Sequence, residues 1–61
     1  MKLIKLTRPD GEIMLVNVDY ISMLMPNDGG YDVDVKSIIL TASGAKYGVK
    51  ETMKEIGGLI G

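Results

Sequence analysis

Few side chains in this sequence could take part in catalysis. The 61 residues include no cysteine and no histidine, which excludes thiolate and imidazole chemistry and the zinc sites built from those groups. Ser22, Ser37 and Ser43 therefore have no histidine to activate them, and each fits a strand or a turn. We expect no catalytic residue and a protein that is not an enzyme.

Possible oxygen ligands for a cation are grouped in one segment. Asn27, Asp28, Asp32 and Asp34 could offer oxygen atoms to calcium. Their spacing departs from the calcium-binding loop pattern, which places acidic or amide residues at alternate positions and ends in a glutamate. We read the segment as a solvated hairpin, and the sequence predicts neither a metal site nor a cofactor.

Basic and aromatic side chains provide a candidate site for an anionic ligand. Arg8 follows Thr7 at the mouth of a predicted hairpin, and a guanidinium group binds carboxylate or phosphate through charge-assisted hydrogen bonds. The last predicted strand adds Lys46, Tyr47 and Lys50. We predict that a small anion or nucleotide, if one binds, contacts these five residues.

The charges are segregated along the chain. Residues 1–8 carry +3, residues 9–34 carry −6 and residues 35–61 carry +2, for a net charge of −1. Such blocks can neutralise one another in a folded domain, present a positive face to an anionic ligand, or meet across an interface between subunits. Because a nucleic-acid-binding domain is usually basic overall, we expect no nucleic-acid partner.

Hydrophobic patterns and turn signals predict five strands and one helix in a single domain over residues 1–61. Pro9, Asp10 and Gly11 favour a tight turn between the first two strands. Thr52 and Glu55 match the capping box that begins a helix. The strands are predicted near residues 3–8, 12–18, 20–25, 31–41 and 46–49, and the helix near residues 53–60.

These elements predict a mainly β fold, a strongly curved antiparallel sheet or small barrel of about five strands with one C-terminal helix. The second strand and the segment from Ile38 to Leu40 carry apolar residues on both faces. In so small a domain, a two-faced strand needs either a barrel wrapped by a helix or a partner subunit to bury it, and we expect a homo-oligomer. The candidate interface residues are Met14, Val16, Val18, Met23, Met25, Ile38 and Leu40.

The apolar segments are too short to enter a membrane. The longest uninterrupted run is Ile13–Val16, whereas a helix that spans a bilayer needs about 20 residues. Residues 1–5 contain no apolar stretch typical of a signal peptide. The lack of cysteine fits a reducing compartment, and we expect a cytoplasmic protein without membrane insertion.

One family resemblance extends over nearly the whole chain. It rests on the segment Ile4 to Arg8, on Gly11, Asn17, Ile21 and Gly44, on Lys46 and Tyr47, and on the segment Val49 to Thr52. The chain resembles the FlbD (SwrD) family of small flagellar and swarming motility proteins, which implies a cytoplasmic, non-enzymatic bacterial protein that contacts other proteins. Residues 25–36 are longer and more acidic than the corresponding turn of the family, which fits a relative carried by a phage or other mobile element.

A shorter resemblance points to a different partner. Leu6, Thr7 and Arg8, with Gly11 and Glu12, look like the start of the carbon storage regulator CsrA, which implies RNA binding. Two alternatives to a protein-interaction role therefore stay open. One is an oligomer that sequesters a small anionic or nucleotide ligand between its subunits, and the other is CsrA-like RNA binding.

Overall fold

Five antiparallel strands and one C-terminal helix make up the fold. A computed structural model describes residues 2–61, and its content confirms the mainly β class. The strands are Leu3–Thr7 (β1), Ile13–Asn17 (β2), Ile21–Pro26 (β3), Ser37–Thr41 (β4) and Lys46–Val49 (β5). A short 3₁₀ helix, Val18–Tyr20, connects β2 to β3, and the helix Met53–Ile60 (α1) ends the chain.

The strands form two sheets rather than one. β1 pairs with β2 in a hairpin, and β3, β4 and β5 form a second antiparallel sheet in that order. Between them, the Asn17 side chain accepts a hydrogen bond of 3.0 Å from the Asp19 N–H, and the 3₁₀ turn redirects the chain. Because β3 therefore does not pair with β2, residues 2–61 form no closed barrel.

The hairpin forms where the turn signal predicts it. Gly11 has φ of 92°, a conformation that glycine adopts without strain. The Gly11 N–H donates to the Arg8 carbonyl oxygen at 2.9 Å, and the Arg8 N–H donates to the Glu12 carbonyl oxygen at 2.8 Å. The turn sets the register, in which Ile4 lies opposite Val16 and Leu6 opposite Met14.

The helix begins at the predicted capping box. The Thr52 hydroxyl oxygen accepts a hydrogen bond from the Glu55 N–H at 3.1 Å, and the Glu55 carboxylate accepts one from the Thr52 N–H at 3.0 Å. At the other end, the Lys2 ammonium group donates to the Ile60 carbonyl oxygen at 2.7 Å. Ile56 is the fully buried residue of α1, and Ile60 packs partly buried against the same core, so two apolar side chains anchor the helix.

The core lies between the two sheets and the helix. Partly buried side chains surround it, among them Met14 and Val16 of β2, Val18 of the 3₁₀ helix and Leu24 of β3. β1, β4, β5 and α1 each contribute at least one fully buried residue, whereas β2, β3 and the 3₁₀ helix contribute only partly buried ones. The buried cluster consists of Ile4, Leu6, Ile39, Val49 and Ile56.

The strand predicted over residues 31–41 is shorter in the structure and starts at Ser37. The Asn27 side-chain amide donates to the carbonyl oxygens of Tyr31, Asp32 and Val35 at 3.4, 3.0 and 2.8 Å. An extended strand could not direct these three carbonyl groups at one amide, so residues 31–36 fold into a loop. We call residues 27–36 the acidic loop.

None of the helices within residues 2–61 has the length and hydrophobicity needed to cross a membrane.

Candidate functional site

Three of the predicted ligand-binding residues meet at one corner of the molecule. β1 ends beside the end of β5, where the Lys50 N–H donates to the Thr7 carbonyl oxygen at 2.9 Å. Arg8 follows Thr7 directly and is exposed, as is Lys50. The main chains of Thr7, Arg8 and Lys50 therefore lie close together at this corner.

The hydrogen-bond donors of Thr7 are already occupied at this corner. The Glu51 carboxylate accepts from the Thr7 N–H at 2.9 Å and from the Thr7 hydroxyl at 2.8 Å. The anion that Thr7 binds is therefore a carboxylate of its own chain. An external anion here would meet Arg8 and Lys50 beside a negatively charged glutamate.

Glu51 is the residue at this corner that sequence reasoning did not single out. Its carbonyl oxygen also accepts a hydrogen bond of 2.8 Å from the hydroxyl of Ser37, and Ser37 is fully buried. Glu51 thus connects β1 of the hairpin to β4 of the second sheet. The sequence feature that could have identified Glu51 is its position directly before the capping threonine Thr52, where the chain leaves β5.

Lys46 and Tyr47 do not join this corner. They are consecutive residues of β5, so their side chains point to opposite faces of the sheet. Tyr47 lies opposite Ile39, on the face that covers the core, whereas Lys46 lies opposite Leu40 on the other face. The five predicted ligand-binding residues therefore do not form one site.

Four of the predicted interface residues lie together on the outer face of the second sheet. The register places Met23 opposite Leu40 and Met25 opposite Ile38. Met23 is 52% exposed, Met25 and Leu40 are partly buried, and Ile38 is buried. We call Met23, Met25, Ile38 and Leu40 the methionine face.

The acidic loop covers one end of the methionine face. Val35 is buried, and its Cγ1 atom lies 2.9 Å from the position that a Cβ atom on Gly48 would occupy. Gly48 is the cross-strand neighbour of Ile38, so Val35 packs beside Ile38. The second apolar face of β4, from which the sequence predicts an oligomer, is thus partly buried by the chain itself.

A cleft of about 290 Å³ lies next to this packed end. Met25, Pro26 and Ile38 supply apolar walls, Tyr31 lies at its side, and Asp28 and Lys46 contribute opposite charges. An apolar side chain fits such a cleft, and the two charged groups can bind polar groups beside it. Its composition suits contact with another protein.

A second opening of about 270 Å³ lies between β2 and the second sheet. Half-exposed Tyr20 and Tyr47 flank it, and Met14 and Val16 line it from the hairpin. Met14, Val16 and Val18, which are candidate interface residues, therefore lie on the core-facing side. The apolar residues of β2 that face solvent are Ile13 and Leu15.

The described part of the chain holds no group of three or more acidic side chains placed to bind a metal ion. Asp28, Asp32 and Asp34 thus lie in the acidic loop without forming such a group. The Asn27 amide instead fills the space between the carbonyl oxygens of the loop. The Asn27 side-chain amide thus holds the loop through three carbonyl oxygens.

No family model, no curated protein and no solved structure matches this chain. The methionine face, the opening beside β2 and the corner at Glu51 are therefore the features that bear on its function.

Proposed function

We propose that this chain is a non-catalytic interaction protein of the FlbD (SwrD) type that works in the cytoplasm as a homo-oligomer and binds a protein partner. The methionine face is the observation that carries this proposal. It gathers four apolar residues from two strands onto one face of the second sheet. The family resemblance supports the same kind of activity, contact with other proteins.

Methionine suits this role because its unbranched thioether adapts to partners of different shape. Met23 leaves 52% of its surface exposed, although burying an apolar side chain of this size is worth about 1.5–3 kcal/mol. A partner that places an apolar anchor residue in the adjoining cleft would gain this burial. Asp28 and Lys46 would bind polar groups beside the anchor.

A motility experiment tests the proposal in the bacterium that encodes the chain. Deleting the gene is expected to reduce swarming, and the wild-type gene is expected to restore it. Met23→Glu places a charge on the methionine face and is expected not to restore swarming. Because Met23 is exposed, the variant should keep its circular dichroism spectrum and its melting temperature.

Val33→Glu is the matched control, because Val33 is 82% exposed and lies in the acidic loop, off the methionine face. It is expected to restore swarming as well as the wild type. A deletion strain that swarms normally would rule out the motility role. Full restoration by Met23→Glu would show that the partner binds elsewhere.

An oligomer that sequesters a small anionic or nucleotide ligand is the second candidate, favoured by the proximity of Thr7, Arg8 and Lys50. The Glu51 carboxylate at the same corner counts against it. Incubation with a mixture of mononucleotides, gel filtration and heat denaturation would test it. Release of nucleotide from the wild type but not from Arg8→Ala would support sequestration, and no release would exclude it for mononucleotides.

CsrA-like RNA binding is the weakest candidate, because Arg8 is the one arginine in the sequence. Removing a single phosphate contact should weaken RNA binding and lower the slope of its salt dependence by about one. Comparing the wild type with Arg8→Ala in a salt titration with short RNA oligomers would detect this. A wild-type chain that binds no RNA at low salt would exclude the role.

A further inference from the structure

We propose that two copies of this chain associate by pairing their β2 strands antiparallel, about a two-fold axis that passes through Leu15. The inference rests on the homo-oligomer of the proposed function and adds its interface, symmetry and register. The resulting dimer would contain one continuous four-stranded sheet made of two hairpins.

Hydrogen bonds at the two ends of the hairpin show which main-chain groups of β2 point away from β1. The Val18 N–H donates to Lys2, and the Arg8 N–H donates to Glu12. In an antiparallel pair, hydrogen-bonded residue pairs alternate with pairs that exchange no hydrogen bond. By this alternation Val16 and Met14 bond to β1, whereas the N–H and C=O groups of Ile13 and Leu15 face the open edge.

The side chains at this edge are apolar and exposed. Ile13 is 59% exposed and Leu15 is 62% exposed, and Leu3 of β1, on the same face of the hairpin, is 50% exposed. β2 itself, Ile13–Asn17, contains no charged residue. Edge strands in monomeric proteins usually carry a lysine, a proline or a bulge that prevents pairing with another chain. β2 has none of these.

The other strand edges are partly occupied or protected. β5, an outer strand of the second sheet, carries Lys46, and the Lys50 N–H directly after it donates to Thr7. At the free side of β1, Thr7 bonds to Lys50 and Glu51. β3 contains a bulge between Ile21 and Met23, ends at Pro26, and contacts α1. Among the described edges, β2 is therefore the one that combines outward main-chain groups with exposed apolar side chains.

A second copy is the occupant that this edge fits best, because β2 is itself the kind of strand the edge can accept. Only an extended chain can satisfy N–H and C=O groups at strand spacing. An uncharged edge also pairs with its own copy without repulsion between like charges. The same surface lies on both subunits, as a two-fold interface requires.

Leu15 is the central residue of β2, so a two-fold axis at Leu15 aligns the two strands over their full length. Leu15 then lies opposite the partner's Leu15, and Ile13 lies opposite the partner's Asn17. Leu3, Ile13 and Leu15 of both copies would form one apolar surface. Lys5, which lies opposite Leu15 in the hairpin, would border that surface in each copy.

Disulfide cross-linking tests the register directly, because the wild-type chain has no cysteine. In the proposed dimer the two Leu15 Cα atoms are about 5.5 Å apart, within the range that a disulfide spans. Leu15→Cys is therefore expected to form covalent dimers under mild oxidation. Ile13→Cys is the matched control with similar exposure, and its two Cα atoms would be about 14 Å apart.

Sedimentation velocity tests the interface without a cross-link. Leu15→Lys would place two ammonium groups next to each other at the axis, and should raise the dimer dissociation constant at least about tenfold. Met23→Lys, an equally drastic change on the methionine face, is expected to leave the dimer intact.

Each result supports the inference or overturns it. A wild-type chain that stays monomeric at high micromolar concentration would refute both the dimer and the homo-oligomer of the proposed function, but not the motility role. A dimer that Met23→Lys dissociates, or in which Ile13→Cys cross-links as readily as Leu15→Cys, would refute the β2 interface alone. Absence of cross-linking in both cysteine variants, although the wild type is dimeric, would also refute the β2 interface.

Discussion

At the scale of single residues, Glu51 connects the two sheets of this structure through hydrogen bonds, although the sequence does not suggest it as a functional residue. Its carboxylate accepts two hydrogen bonds from Thr7, and its carbonyl oxygen accepts one from the buried Ser37. Two sheets that share no strand need such contacts, because no ladder of main-chain hydrogen bonds joins them. Thr7, which the sequence suggests as a ligand-binding residue, is instead part of this connection.

We predict that Glu51→Ala lowers the free energy of unfolding by about 2 kcal/mol, the usual range for hydrogen bonds to a charged group. The loss follows because the Thr7 N–H and hydroxyl would keep no protein partner. Urea denaturation followed by circular dichroism would measure it. Glu12→Ala, at an exposed position in the hairpin turn, is the control and should change the free energy of unfolding by less than about 0.5 kcal/mol. Equal effects of the two variants would contradict the role of Glu51.

Glu55 provides a pH-dependent contribution to the helix. The hydrogen bond from the Thr52 N–H, followed by that with the Thr52 side chain, lowers the pKa of Glu55 below its usual value. A lowered pKa in the folded state means that the ionised carboxylate stabilises the fold. This stabilisation is present above the pKa of the unfolded chain and is lost as the pH falls through the lower pKa of the folded chain.

We therefore expect the wild type to melt at a higher temperature than Glu55→Gln at neutral pH, and the difference to vanish in acid, below the folded-state pKa of Glu55. Thermal melts of both proteins across this pH range would measure the difference. Asp34→Asn, at an exposed position of the acidic loop, controls for the general effect of removing a negative charge. A difference that does not change with pH would show that ionisation of Glu55 does not stabilise the capping box.

At the scale of the elements, the acidic loop and the second sheet depend on each other. The Asn27 amide fixes the loop through three carbonyl oxygens, and Val35 packs against Gly48 of β5. Glycine is needed at position 48 because a Cβ atom there would lie 2.9 Å and 3.1 Å from the two methyl carbons of Val35. The loop thus acts as a cover for part of the sheet.

This packing predicts that Gly48→Ala destabilises the fold by about 1–3 kcal/mol, as overpacking of a closed site usually does. In a Val35→Ala background the added methyl group has room, so Gly48→Ala should lower the free energy of unfolding by clearly less. A double-mutant cycle from denaturation midpoints would measure the difference. Equal costs in both backgrounds would mean that Val35 is not what restricts position 48.

At the scale of the whole molecule, the chain has a small core and two apolar surfaces that remain partly exposed. Five buried residues form the central cluster, and a core of this size gives only a few kcal/mol of net stability. Partners that bind only the folded state add to that stability by mass action. The methionine face and the β2 edge are the surfaces through which such partners would act.

We expect the melting temperature to rise by about 5 °C or more over roughly a hundredfold increase in protein concentration, because dimerisation stabilises the folded state. Differential scanning calorimetry at several concentrations would measure the rise. Leu15→Lys should show a smaller rise over the same concentration range, since its dimer is weakened. A wild-type melting temperature that does not change with concentration would argue against self-association.

The sequence predicts correctly the features that neighbouring residues decide. The turn at Pro9 to Gly11 and the capping box at Thr52 and Glu55 depend on local backbone conformation and on hydrogen bonds over a few residues. The mainly β class and the C-terminal helix follow from short apolar runs between these signals. These elements form at the predicted places because nothing distant has to come together first.

Tertiary structure decides which strands meet and which faces are covered. Both faces of β2 are apolar, so periodicity alone could not show that Met14 and Val16 pack on the core while Ile13 and Leu15 face solvent. The loop at residues 31–36 and the contacts of Thr7 with Glu51 likewise depend on residues up to 44 positions apart. The amino-acid sequence by itself thus determines the local elements and excludes cysteine and histidine chemistry, whereas the division into two sheets, and with it the open edge of β2, arises only from long-range packing.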